Sequence, residues 1–167
     1  MVMRTHKMAM DPKVEFKTLR RGVEFALDSL YENDADLIRY GVSEQCLVGN
    51  FYRYFFEKVR DLLEEDPNLK VDLEYNKCGQ ERDSKFRLSG NMKWRPDMIV
   101  HHRGGPSRNV CLFEFKRFDS RARKKREDLA KLQEAVDPCG LGYHFGCYVE
   151  FGKERHLSQV KWFSEEL

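Results

Sequence analysis

The chain is expected to fold as a single α/β domain, a mixed central sheet flanked by helices, with an extra helix at its front. Three observations predict this. Apolar residues recur at three- and four-residue steps in three segments. They alternate with polar residues at every second position in a fourth, and three further short runs are rich in β-branched and aromatic residues. After the front helix, the order reads helix, strand, strand, strand, helix, strand. With 167 residues, one domain spanning 11–167 is the natural expectation, with residues 1–10 as a flexible tail.

Asp11-Pro12 is a helix start, because Asp caps free amides and Pro is tolerated in the first turn. Phe16, Leu19, Val23, Leu27 and Leu30 then mark one face of a helix to about Tyr31, although Gly22 weakens it. A short turn of helix covers Ala35 to Tyr40, and Gly41 ends it. Ser43 caps the next helix, Glu44 to about Leu63, whose stripe is Leu47, Val48, Phe51, Phe55, Val59 and Leu62. Glu44 lies one step N-terminal to Val48 on that stripe and so points inward.

Leu69, Val71, Leu73 and Tyr75 alternate with Lys70, Asp72, Glu74 and Asn76, the period of a half-buried strand. The polar stretch from Cys78 to Lys93 reads as a long mobile loop. Strands follow at about Arg95 to His101 and Asn109 to Arg117. Leu129, Leu132 and Val136 mark a helix ended by Pro138 and Gly140, and Tyr143 to Phe151 is the last strand. Leu157 to Leu167 is expected as a terminal helix or a docked tail.

Hydrophobic residues make up 41% of the chain and charged ones 35%, with 30 basic against 28 acidic side chains. Because the signs nearly cancel, the placement of charge carries more information than its sum. The five cysteines form an odd set without a C-x-x-C pair, which argues against a zinc site or a disulfide framework and for reduced thiols in a cytoplasmic protein. No run approaches the ~20 apolar residues that span a bilayer, and no apolar signal core is visible.

The chemistry concentrates in Pro96-Asp97 and in Phe113-Glu114-Phe115-Lys116. Side chains two apart on a strand project together, so Glu114 and Lys116 share one face. If the two strands are neighbours, Asp97 and Glu114 converge on one hard cation with Lys116 beside it. Mg2+ or Mn2+ suits such oxygen donors. The Phe115 carbonyl would add a neutral ligand and Glu44 a third carboxylate. Lys116 would either orient the attacking water or meet the charge that builds on a phosphate. The plainer reading of Glu114 and Lys116 is an ion pair on an exposed strand. For Glu44 it is an acid favoured by the helix dipole. The agreement of all three segments favours the catalytic set.

Glu44 on its helix, Arg95-Pro96-Asp97-Met98-Ile99-Val100, and Phe113-Glu114-Phe115-Lys116 together resemble the PD-(D/E)xK phosphodiesterase superfamily, the restriction-endonuclease-like fold. Leu73 to Asn76 and Tyr143 to Gly146 look like those of small bacterial and phage members. The resemblance covers roughly residues 31–152. It implies a divalent-metal nuclease with Asp97 and Glu114 as ligands, Glu44 as auxiliary ligand and Lys116 as base or charge stabiliser. It favours DNA over RNA as the nucleic acid. A homodimer would bring a second active site to a second strand.

The run Arg117, Arg121, Arg123, Lys124, Lys125 and Arg126 follows the active strand. A cationic first turn opposes the helix dipole, so a phosphate-backbone contact is the better account of it. His101 and His102 face opposite ways on one strand and are not expected to share a zinc. Gln133, Tyr75 and Asn76 are minor candidates for touching substrate, and Trp94 and Trp162 are read as packing residues. Two rival functions are a non-catalytic nucleic-acid-binding module and a protein-interaction subunit of a phage-defence or repair complex, each keeping the nuclease fold.

Overall fold

The computed structural model describes residues 11–74, 87–88, 92–103, 108–137 and 139–164. They form a five-stranded mixed sheet flanked by helices, as the periodicities predict. The first helix, α1 (Pro12–Asn33), starts where Asp11 accepts a hydrogen bond from the Lys13 amide at 2.9 Å. Gly22 is explained by packing: a Cβ there would lie 2.8 Å from Val59 Cγ1 and 3.0 Å from a Phe55 ring carbon. The missing side chain lets α1 approach the Phe55–Val59 segment closely.

After the short α2 (Ala35–Arg39), Ser43 caps α3 (Glu44–Lys58) through the Cys46 amide at 3.3 Å. The single helix expected to Leu63 is two, because the chain breaks at Val59 and resumes as α4 (Arg60–Glu65). Strand β1 (Leu69–Leu73) follows. Within the stretch expected as a structureless loop, β2 (Arg87–Leu88) and β3 (Met92–Lys93) pair as a small antiparallel ribbon. The rest of that loop, with Tyr75 and Asn76, lies outside the described residues.

Next come β4 (Met98–His102), β5 (Asn109–Arg117), α5 (Ala122–Val136) and β6 (Tyr143–Phe151). The expected terminal helix or tail is instead a 3-10 turn at Arg155–Leu157 and a strand, β7 (Gln159–Phe163). Val160 and Trp162, alternating with Gln159 and Lys161, pair antiparallel with β6. The main sheet runs β1-β4-β5-β6-β7, antiparallel except for the β5–β6 pair that α5 connects.

Alternation along the strands sorts the core into two layers. Phe113 and Phe115 face α3, with ring centroids 5.4 Å from Phe55 and 4.9 Å from Phe51 respectively. Each such buried aromatic contributes roughly 1.5–3 kcal/mol. Ile99, Leu112 and Tyr148 face the other way, against Leu132, Ala135 and Val136 of α5. Glu114 and Lys116 therefore emerge beneath α5 rather than beneath α3.

At one end of the sheet Asp66 meets His102 at 2.8 Å and also pairs with Arg108, which reaches the buried Glu15 at 2.6 Å. His101, fully buried, meets Asp72 at 2.9 Å, and Arg103 bonds the same carboxylate. The two histidines thus have separate acidic partners, as their opposite facing requires. Trp162 packs edge-on to Phe16 and Phe113. Cys111 and Cys147 are buried and Cys46 and Cys139 exposed, all with free thiols. Among the described residues no helix is long and apolar enough to cross a membrane.

Candidate active site

Asp97 stands directly before β4, one step past the Met98–Phe113 pair and therefore beside Glu114. Its Oδ2 accepts a hydrogen bond from the Phe115 amide at 2.8 Å. That bond ties the Pro-Asp turn to β5. Burial pushes the Asp97 carboxyl up; the Phe115 amide and Lys116 oppose this, while Glu44 and Asp128 add to it, and the net shift is upward.

Glu114 is only 3% exposed, and its Oε1 accepts from the Trp94 indole N–H at 2.7 Å. Burial, then the charges of Asp97 and Asp128, push it well above the usual carboxylate range despite Lys131 and Lys116. Trp94 was expected only to pack. It does pack, at 7% exposure, and it also supplies a polar contact to an expected ligand.

Lys116 is 8% exposed and surrounded by oxygen. Its Nζ donates to the Phe115 carbonyl at 2.7 Å and to Glu44 Oε1 at 3.0 Å. It also lies 2.9 Å from Asp128 Oδ2. That oxygen is buried and makes no aligned hydrogen bond, so the Asp128 contact is one of opposite charges. Burial pulls the Lys116 pKa down, but Asp128 and Glu44 outweigh it and leave the amine more basic than usual. Glu44 completes its contacts through Oε2, which accepts from the Arg117 amide at 3.3 Å.

Of the four acidic and basic residues expected to meet, Glu44 and Lys116 touch directly, and Asp97 joins them through the Phe115 peptide. Glu114 is bonded to Trp94 instead. Among the described residues no three His, Cys, Asp or Glu side chains form a ready metal cage. The oxygen set nevertheless suits a hard cation. Asp97, Glu114 and Glu44 supply its oxygens and Asp128 adds a further negative charge beside them. Asp97 is held up in pKa partly by Glu44 and Asp128, and Glu114 partly by Asp97 and Asp128.

Asp128 was not anticipated. It is 4% exposed, and its Oδ1 accepts from Lys131 Nζ at 2.7 Å. Its spacing to Leu132, Ala135 and Val136 places it on the buried face of α5. The rule that turned Glu44 inward would have found it. Tyr148, beside Glu114 in the β5–β6 register, was also missed; its hydroxyl donates to Glu150 Oε2 at 3.1 Å.

A cleft of about 260 Å³ opens between α3 and the end of β1, lined by Glu44, Gln45, Val48, Leu73, Glu74 and Asp97. Glu74 holds a left-handed backbone, φ 48°, with its amide on the Asp97 carbonyl at 3.0 Å. Such a conformation is costly for a residue with a Cβ and marks a tightly constrained corner. The Glu74 carboxylate accepts from Gln45 Nε2 at 2.6 Å.

The basic run divides. Arg117 is spent on the Val42 carbonyl and on Asp119, and Lys125 on the Phe118 carbonyl and Glu150, both at 2.8 Å. Arg121, Arg123, Lys124 and Arg126 stay exposed at the start of α5, where no acid occupies the first turn. Arg123 makes a solvent-facing pair with Glu127 at 3.3 Å. Gln133 is exposed on the same helix, further along. In comparisons with known proteins, the chain matches no family model and no curated relative.

Proposed function

We propose that the protein is a divalent-metal-dependent phosphodiesterase that cuts nucleic acid, with DNA as the favoured substrate, on a restriction-endonuclease-like fold. The observation that carries this reading is the buried Lys116 ammonium seated among Glu44, Asp128 and the Phe115 carbonyl, with Asp97 bonded to the Phe115 amide. Two of the four carboxylates, Glu114 and Asp128, are buried, and that much negative charge beside one buried ammonium is expensive to desolvate unless a cation relieves it. The element order from α3 to β6 supports the fold assignment.

Asp97, Glu114, Glu44 and the Phe115 carbonyl would hold Mg2+ or Mn2+. Bound there, the ion lowers the pKa of a water and neutralises phosphate oxygens. Lys116, kept protonated by its carboxylates, meets the charge that develops on the phosphate rather than serving as the base. Arg121, Arg123, Lys124 and Arg126 hold the polynucleotide backbone by displacing counterions. The described residues supply one such site, so cleavage of both strands of a duplex calls for a homodimer or two successive cuts.

The test is direct. With Mg2+ the protein should nick or degrade DNA, and Asp97→Ala or Lys116→Ala should abolish the activity. Wild type and variants alike inactive on double-stranded, single-stranded and branched substrates would remove the proposal. The Glu114–Trp94 bond favours a second reading, because it ties an expected ligand into the protein: a nucleic-acid-binding module without catalysis. That module would show salt-sensitive binding unchanged by Asp97→Ala.

A further inference from the structure

We propose that Asp128 is a positioning residue, the seat that retains the Lys116 ammonium when a divalent cation takes Glu44 and the Phe115 carbonyl; this rests on the metal-dependent reading above. Lys116 Nζ touches three oxygens, and two of them, Glu44 Oε1 and the Phe115 carbonyl, belong to the donor set a cation would use. A dication and an ammonium cannot share those oxygens without strong repulsion. The third oxygen, Asp128 Oδ2, lies outside that donor set.

Asp128 is built to stay where it is. It is buried on the inner face of α5, and Lys131 fixes its other oxygen at 2.7 Å. Lys131 in turn sits 5.7 Å from the centroid of the Trp94 ring, whose N–H bonds Glu114. Oδ2 is buried, takes no aligned hydrogen bond, and has the Lys116 ammonium 2.9 Å away. With Asp128 present, Lys116 can give up Glu44 and the carbonyl and remain beside the reacting phosphate. Without it, the buried ammonium has, among the described residues, partners only within the donor set and competes with the cation for them. Partners of this kind behind a metal site govern its affinity as well as its geometry.

The experiment is a cycle of Mn2+ affinities measured by titration calorimetry, without nucleic acid, on wild type, Asp128→Asn, Lys116→Met and the double variant. Asp128→Asn should weaken Mn2+ binding about 10- to 100-fold in the wild-type background. In the Lys116→Met background the same change should have little effect, because no ammonium needs a seat. Equal weakening in both backgrounds would show only the loss of a nearby negative charge and would overturn the assignment. Thermal melts establish that each variant is folded, and Lys116→Gln replaces Lys116→Met in the cycle if the latter is not. Failure of both wild type and the Lys116 variant to take up Mn2+ overturns the metal-dependent reading itself, a result distinct from an equal effect of Asp128→Asn in two metal-binding backgrounds.

Discussion

The Trp94 indole N–H donates to Glu114 Oε1 at 2.7 Å, joining the approach to β4 with the middle of β5 beneath α5. A hydrogen bond given to a carboxylate favours its charged form, so this bond restrains a pKa that burial drives upward. Trp94→Phe should therefore raise the Glu114 pKa further. It should also cost about 1–3 kcal/mol of stability, because it leaves a buried acceptor unpaired. Denaturant unfolding and a carbon-detected NMR titration of Glu114 check the two effects.

The pH dependence of stability should have two opposed limbs. In Asp66 and Asp72 burial pulls the pKa up, but bonds from His102 and from Arg103 and His101 respectively bring it below the ordinary value. Such depressed carboxyls contribute stability that is present above their unfolded pKa of about 4 and lost as pH falls through the lower folded value. Asp97 and Glu114 are shifted upward, so the native state binds their protons more readily than the unfolded chain does. Their protonation stabilises the protein as pH falls from neutrality towards their unfolded pKa. Urea midpoints across pH should show Asp72→Asn flattening the acid limb and Glu114→Gln flattening the limb above it. An unchanged upper limb in Glu114→Gln would count against the raised pKa.

Nucleic-acid binding should follow the exposed cations and not the paired ones. Replacing Arg121, Lys124 and Arg126 by Ala should weaken binding at every sequence, and the slope of log affinity against log salt should fall by about 0.9 for each phosphate no longer neutralised. Arg117→Ala and Lys125→Ala should act mainly on stability, since they remove bonds to Val42, Asp119, Phe118 and Glu150. Fluorescence anisotropy at several salt concentrations separates the two groups.

Gly22→Ala tests the helix crossing. Ala gains about 1 kcal/mol in helix propensity over Gly. The new methyl would meet Val59 at 2.8 Å and Phe55 at 3.0 Å, and overpacking of this kind costs about 1–3 kcal/mol. Net destabilisation is expected, read from the urea midpoint; a more stable variant would mean that the helices separate easily.

Much of this architecture is legible from periodicity alone. Leu47, Val48, Phe51 and Phe55, and Glu114 with Lys116 between Phe113 and Phe115, fall on the faces their spacing predicts, and Glu44 reaches Lys116 while staying half-buried. Asp128 was equally legible, but the charged neighbours Arg126, Glu127 and Lys131 made that turn of α5 look like a solvated face. The break at Val59 carries no Gly or Pro to announce it. The pairing of Arg117 with Val42 and of Lys125 with Glu150 depends on segments distant in sequence, which no local pattern encodes. For β7, the alternation of Gln159, Val160, Lys161 and Trp162 was present but too short to outweigh a helical reading.

The last strand has a consequence for solubility. Beneath β7 runs β6, nine residues long and apolar over most of its length, whose open side would otherwise display a row of free amides and carbonyls to any passing chain. Tyr31 fastens the approach to β7, donating to the Gly152 carbonyl at 2.7 Å and accepting from the Ser158 hydroxyl at 2.8 Å. The edge of β6 is thus sheathed by a segment that α1 holds in place through Tyr31 and through the pairs of Arg155 with Glu24 and Asp28, and weakening those ties would loosen the cover over a template for stray strands.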